Sequence, residues 1–225
     1  MNRKGVGENA GAARSRKVAE REFRQQLVLG AARGVFAEKG IENTTMEDIA
    51  EKAGYTRRTL YAYFRNRDEI SLLILLEDLR ARWAYQKEAM AQVGGGLGKI
   101  LAWAAAFYAY ARENPHALRL QAYWDFKGVD PDRISPKIFS AFEAVNDELA
   151  EGLREVFRMG IEDGSLRAGL DVDLCISQYL YTLRSVLNRA LSSTYSFARF
   201  DPDDYVEAYL DLFSRGIRNF GGTNR

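Results

Sequence analysis

A chain of 225 residues, 47% hydrophobic and 28% charged, is long enough to bury a substantial core and has the balance of a folded, soluble protein. One cysteine, Cys175, excludes a disulfide framework and suits a reducing, cytoplasmic setting, and a single histidine without neighbouring ligands gives no metal set, so no metal or cofactor is expected. The net charge is +1, but residues 1–70 hold 14 Lys and Arg against 10 Asp and Glu while the remainder holds 18 against 21, which puts the positive end at the N-terminus. No apolar run approaches the length that crosses a bilayer, so no membrane partner is expected. Residues 1–17 lack the apolar centre of a signal peptide and read as a disordered basic arm.

In chain order, 18–39 is the first predicted helix. Val28, Ala31, Ala32, Val35 and Phe36 recur at helical spacing, and Gly40 stops it. Thr44 with Glu47 three residues on offers a capping box for a short second helix, whose apolar face is Met46, Ile49, Ala50 and Ala53. Gly54 ends that helix and Thr56 caps a third. Short helices joined by a tight glycine turn describe a helix-turn-helix. A long helix follows from Asn66 to the break at Gly94-Gly95-Gly96, and further helices are expected at 97–113, 116–127, 136–163, 171–193 and 202–220. The expected fold is all-α with about nine helices. It has a head at 18–65, a larger ligand-binding and dimerisation domain at 66–221, and a tail at 222–225.

The third helix carries the chemistry. Leu60 and Phe64, one turn apart, should face the core with Tyr61 at the edge, while Arg58, Thr59, Ala62 and Tyr63 occupy the opposite arc and Arg57 projects from the first turn. Arginine presents a bidentate fork to guanine or phosphate, tyrosine reaches phosphate or stacks on sugar, and the small Ala62 permits close approach to base edges. Thr44 and Thr45 at the start of the second helix, and Arg67 at the start of the fourth, are placed to hold phosphates. This surface suits a major groove; on spacing alone, a solvated basic turn on a helical bundle is the alternative.

Residues 26–72 resemble the DNA-binding domain of the TetR family of one-component transcriptional regulators. The matching residues are Ala31-Ala32, Phe36, Gly40, Thr44-Thr45, Asp48-Ile49-Ala50, Ala53-Gly54, Thr59-Leu60-Tyr61, Tyr63-Phe64 and Arg67-Asp68. The family pattern usually has lysine where Arg67 stands and a small residue near Arg57 and Arg58, which implies a base preference particular to this chain. The resemblance implies a dimeric, ligand-responsive regulator, a repressor that binds a palindromic double-stranded operator and leaves it when a small molecule binds.

Other signals carry less. "GVGENAG" follows no strand, and in "GGGLGKI" Val93 and Ile100 stand where a phosphate-binding loop needs glycine and Ser or Thr, so it reads as a helix break. No convergent titratable set supports catalysis, and no catalytic residue is assigned. A helical carrier or enzyme with an incidental basic segment is the competing reading.

The segment "ILAWAAAFYAYARENPHALRLQAYWDF" is rich in aromatic side chains, which bring apolar bodies with polar tips. The family analogy implies an effector cavity among the middle helices, with Trp103, Phe107, Tyr110, His116, Tyr123, Trp124, Phe142 and Tyr179 as candidate contacts to a partly apolar or aromatic effector. Core packing is the plainer role for each. The helices at 171–193 and 202–220 are apolar over a wide arc, through Ile176, Tyr179, Leu180, Leu183, Leu187, Ala190 and Leu191 on one and Tyr205, Tyr209, Leu212, Phe213 and Phe220 on the other. In the family such helices form a four-helix bundle between two subunits; a monomer with a thick core is the alternative.

Overall fold

The structure is a computed structural model that describes residues 4–192 and 200–220. Among these the elements are helices α1 (Lys4–Lys39), α2 (Met46–Lys52), α3 (Arg57–Tyr61), α4 (Arg67–Ala91), α5 (Gly96–Glu113), α6 (Pro115–Lys127), α7 (Pro136–Glu162), α8 (Val172–Ala190) and α9 (Pro202–Ile217), with a 3-10 turn at Pro131–Arg133. No β-strand occurs among the described residues; the all-α expectation holds. No helix there is long and apolar enough to cross a membrane.

Two boundaries differ from expectation. Helix α1 begins at Lys4, inside the stretch read as a disordered arm; its Ala, Glu, Arg and Lys residues have high helix propensity, and Arg24 pairs with Glu20 one turn back. Helix α9 ends at Ile217 rather than 220, because Arg218 turns extended and forms an isolated antiparallel bridge with Leu166. The expected helix end at 193 and the tail at 222–225 lie outside the described residues.

The chain divides into two compact units, Met1–Ile74 with Asp130–Ile138, and Leu75–Val129 with Phe139–Arg225. In the first unit, Val28, Leu29, Ala32 and Val35 of α1 pack with Ile49, Ala50, Leu60 and Phe64, all buried. Gly54, at φ +71°, supplies the left-handed residue that the turn between α2 and α3 requires. No local pattern of residues assigns 130–138 to this unit. Its place follows from electrostatics: Asp68 and Glu69 begin α4 at 3% and 2% exposure, and buried carboxylates need partners. The Arg133 guanidinium stands 3.2 Å from Asp68, the Ser135 amide donates to Glu69 at 2.7 Å, and Asn66 donates to the Arg133 carbonyl at 2.8 Å.

The second unit holds all three tryptophans. Trp83 is buried and its indole donates to Glu148 at 2.8 Å. Helix α5 starts against α7 in backbone contact: a Cβ on Gly96 would lie 2.2 Å from the Gly160 backbone. Its first amides are capped from beyond α7, by Asp163 on Gly96 at 2.7 Å and by Ser165 on Leu97 at 3.1 Å. The glycine run is therefore a helix start that admits no side chain at position 96.

Candidate nucleic-acid interface and effector region

In the first unit the capping box forms one residue later than expected, on Thr45 and Asp48 rather than Thr44 and Glu47. The Thr45 hydroxyl accepts from the Asp48 amide at 3.2 Å, and the Asp48 carboxylate accepts from the Thr45 amide at 2.8 Å. Lys39 donates to the same carboxylate at 2.6 Å, and with Thr45 it holds the Asp48 pKa down to about 2. Thr44 is displaced from the box because its hydroxyl donates back to the Gly40 carbonyl at 2.7 Å; at 2% exposure the side chain has no access to a phosphate. Arg67 is also turned inward. Its guanidinium donates to the carbonyls of Glu42 and Thr44 at 2.8 and 2.9 Å, tying the loop before α2 to the start of α4. Both residues expected as DNA contacts are thus engaged within the head, Thr44 on Gly40 and Arg67 on Glu42 and Thr44.

The outward face is led by α3. Thr56 caps it by accepting from the Thr59 amide, and the Thr59 hydroxyl is bonded to that of Thr56 at 2.9 Å. Arg57 is tethered: it pairs with Glu47 of α2, and its charge lies 5.4 Å from the Tyr61 ring centroid. The Tyr61 hydroxyl first, and Glu47 next, raise its already high pKa. Arg58 is exposed, as are Tyr61 and Ala62, and Tyr63 is half-buried.

A second basic element joins this face. Lys17, Glu20, Arg21 and Arg24 of α1 line an open concavity of about 320 Å³ with Ala62 and Tyr63. Arg21 lies 5.9 Å from the Tyr63 ring centroid, and the Tyr63 hydroxyl, then Glu20, raise the Arg24 pKa. Lys17, Arg21 and Arg24 stand at i, i+4 and i+7, a helical stripe of which only Lys17 fell in the expected disordered arm, while Arg21 and Arg24, inside the predicted helix, were not read as part of the basic face.

In the second unit, three expected effector residues meet in ring contact. Trp103 lies 5.8 Å from Phe107 and 5.4 Å from Tyr179, and Phe213 of α9 stacks on Tyr179 at 4.2 Å. The buried Tyr179 hydroxyl donates to the Ile100 carbonyl at 3.0 Å, and burial pushes its pKa well up. Trp124 packs edge-on to Tyr123, whose hydroxyl accepts from Lys127 at 2.9 Å, and Tyr110 lies 6.4 Å from Tyr85. His116 and Phe142, half-buried on α6 and α7, share no ring contact with the Trp103 group among the described residues.

Sequence reasoning missed the polar residues of this region. Arg82, on α4, is 5% exposed and lies 4.0 Å from the Phe107 ring centroid. Burial first, and the Arg184 charge second, push its pKa down to about 9, against Tyr110, Asp125 and Asp78. Asp125 accepts from Arg184 at 2.8 Å and from Gln121 at 3.0 Å. Gln86 donates to the Trp103 carbonyl at 3.2 Å. No group of His, Cys, Asp and Glu able to hold a metal occurs among the described residues.

A glycine-turned helix pair exposing arginine, set on an all-α chain, defines a helix-turn-helix DNA-binding regulator. Residues 28–73 match the family described as bacterial regulatory proteins, tetR family. The chain is 30% identical over 152 residues to the HTH-type transcriptional repressor KstR2 of Mycobacterium tuberculosis, covering 67% of this chain and 73% of that one. It is 24% identical over 177 residues to the HTH-type transcriptional regulator SrpR of Pseudomonas putida, covering 78% of each. A solved structure of the ketosteroid transcriptional regulator KstR2 of M. tuberculosis superposes with a TM-score of 0.63 at 23% identity, covering 87% of this chain and 95% of that one. This protein belongs to the TetR family and is a transcriptional regulator. Regulators of the family act on operator DNA as dimers and answer to small-molecule effectors.

Proposed function

We propose that the protein is a repressor that binds a palindromic operator as a homodimer and releases it when a small molecule enters the second unit. The observation that carries the DNA half is the continuous basic face: Arg58 exposed on α3 beside Ala62, flanked by Arg57 and by Lys17, Arg21 and Arg24 around Tyr63. In this reading Arg58 reads base edges, and Arg57, Tyr63, Thr45 and the α1 stripe hold backbone phosphates, with Thr59 and Tyr61 at the margin. The dimer face is supported by apolar side chains that stay exposed on a single chain, Leu174 and Tyr181 (58%) on α8 and Leu212 (70%) on α9. Aromatic residues around Trp103, and the ketosteroid regulator among the relatives, favour an effector with a large apolar body. Helix α4, which has residues in both units, is the element proposed to carry the signal. No step of this function asks for catalysis.

Selecting bound duplexes from a randomised pool with the full chain tests the reading. The expected product is a palindrome with half-site centres about one DNA turn, roughly 34–36 Å, or a multiple of it apart. Recovery of no common sequence, or of a single unpaired half-site, would overturn it. An effector, once found, must weaken operator binding by the same factor that operator weakens effector binding.

A further inference from the structure

Glu47 puts a negative charge beside the arginines of α3. It lies in the first turn of α2, and its carboxylate pairs with Arg57 in the first turn of α3; both side chains are exposed. Arg57 is held from its other side, with its guanidinium over the Tyr61 ring and Nη2 3.4 Å from the Tyr61 hydroxyl. The pair thereby ties the carboxylate to the helix that leads the outward face. Capping does not explain Glu47, because Thr45 and Asp48 make the box of α2 and Asp48 also takes the Lys39 ammonium.

An acid that must come close to phosphates opposes binding on every sequence unless the duplex offers it a donor. In the major groove guanine shows two acceptors, and thymine an acceptor and a methyl group, so both reject a carboxylate. Adenine sets its amine beside the N7 acceptor. Cytosine alone offers an amine, N4, with no acceptor next to it. A carboxylate accepts at about four lone-pair sites, so the pairing with Arg57 leaves Glu47 able to accept again. The guanidinium also offsets its charge, which lets it approach the groove.

We propose that Glu47 is a base-reading residue, its carboxylate accepting from N4 of a cytosine in the major groove of each half-site while Arg57 holds it in place and faces the adjoining phosphate. This rests on the DNA-binding reading above and adds a base identity at a position separate from the one read by Arg58.

The test uses the operator selected from the randomised pool, together with duplexes in which each of its base pairs is replaced in turn. Full-length wild type, Glu47→Gln and Glu47→Ala are titrated with the whole set. Wild type should prefer C·G by at least about fivefold at one position that Arg58→Ala leaves unaltered, the low end for a base contact. Glu47→Gln should move the preference there to A·T, because an amide matches the N6 donor and N7 acceptor of adenine. Glu47→Ala should erase the preference at that position alone. Both variants keep the Thr45 and Asp48 box, and the isosteric Gln answers the question if the Ala variant does not fold. A gain in affinity on all duplexes alike would mean that Glu47 only repels the backbone, and an equal loss on all that it only supports the start of α2. Either result, or no change at all, overturns base reading and leaves DNA binding standing. A wild-type selection that returns no common sequence overturns both.

Discussion

The two units treat their buried polar groups in opposite ways. In the DNA-binding head, Thr44, Asp68, Glu69 and Ser71 are all buried and all satisfied, by Gly40, Arg133, Ser135 and the Asp68 carbonyl. In the larger unit, Arg82, Gln86, Gln121, Trp103 and Trp124 keep unpartnered atoms in the interior. A complete network holds one arrangement firmly, whereas an incomplete one costs stability until a partner arrives. That contrast suits the roles proposed for them, a preformed reader and a receiver.

Ionic strength should divide them most widely. If two heads neutralise about six to ten phosphates, operator affinity falls about 10³- to 10⁵-fold between roughly 50 and 200 mM salt. Effector affinity over the same range should barely move, and fluorescence anisotropy measures both. A salt-insensitive operator complex would break the contrast.

Glycine substitutions probe packing next. Gly96→Ala drives a methyl group into the Gly160 backbone, which cannot yield as a side chain can, and should cost about 3 kcal/mol in urea unfolding. Gly34→Ala in the head meets only Lys52 Cε at 3.7 Å and should gain about 0.5–1 kcal/mol from helix propensity. The opposite sign at either position would show that the packing is misjudged.

Within the head, Arg58→Ala should change operator preference at one base position by about 1–3 kcal/mol. Arg67→Ala, which unties the loop at Glu42 and Thr44, should lower affinity for every sequence alike. Comparing the two variants on a set of mutated operators decides between reader and platform.

The smallest effect expected is at acid pH. The Asp48 pKa lies below its ordinary 3.8, at about 2, so its contribution is present above the ordinary value and is lost as pH falls towards 2. Asp48→Asn should flatten the acid limb of the head's stability profile between those values, followed by circular dichroism. An unchanged limb would mean that Lys39 and Thr45 do not stabilise the charged carboxylate.

How much of this was legible differs by unit as well. The head's signals are local: Gly54, Thr56 and the pair Leu60 and Phe64 act within a few residues, and their roles were readable. Where the reading slipped, two local solutions competed. Thr44 with Glu47 and Thr45 with Asp48 are the same pattern one residue apart, and the hydrogen bond from Thr44 to Gly40 chose between them. Arg67 looked free because its acceptors are backbone carbonyls more than twenty positions earlier. In the second unit the aromatic candidates could be named, but Arg82 reads as a solvated residue on a long helix. Its burial depends on α5, and Asp125 meets Arg184 59 positions away. No sequence spacing encodes such a meeting.

The three indoles, all in the second unit, give the molecule a built-in optical division of labour. Light absorbed by tryptophan alone interrogates the effector half, because the head contributes only tyrosines such as Tyr55, Tyr61 and Tyr63. A ligand settling beside Trp103 should alter that emission directly. Operator DNA, on the proposed reading in contact with the head alone, should leave that emission unchanged unless the message crosses the chain. Any change in tryptophan emission on adding operator is therefore a direct reading of communication between the two halves, obtained without a label and before any effector is known.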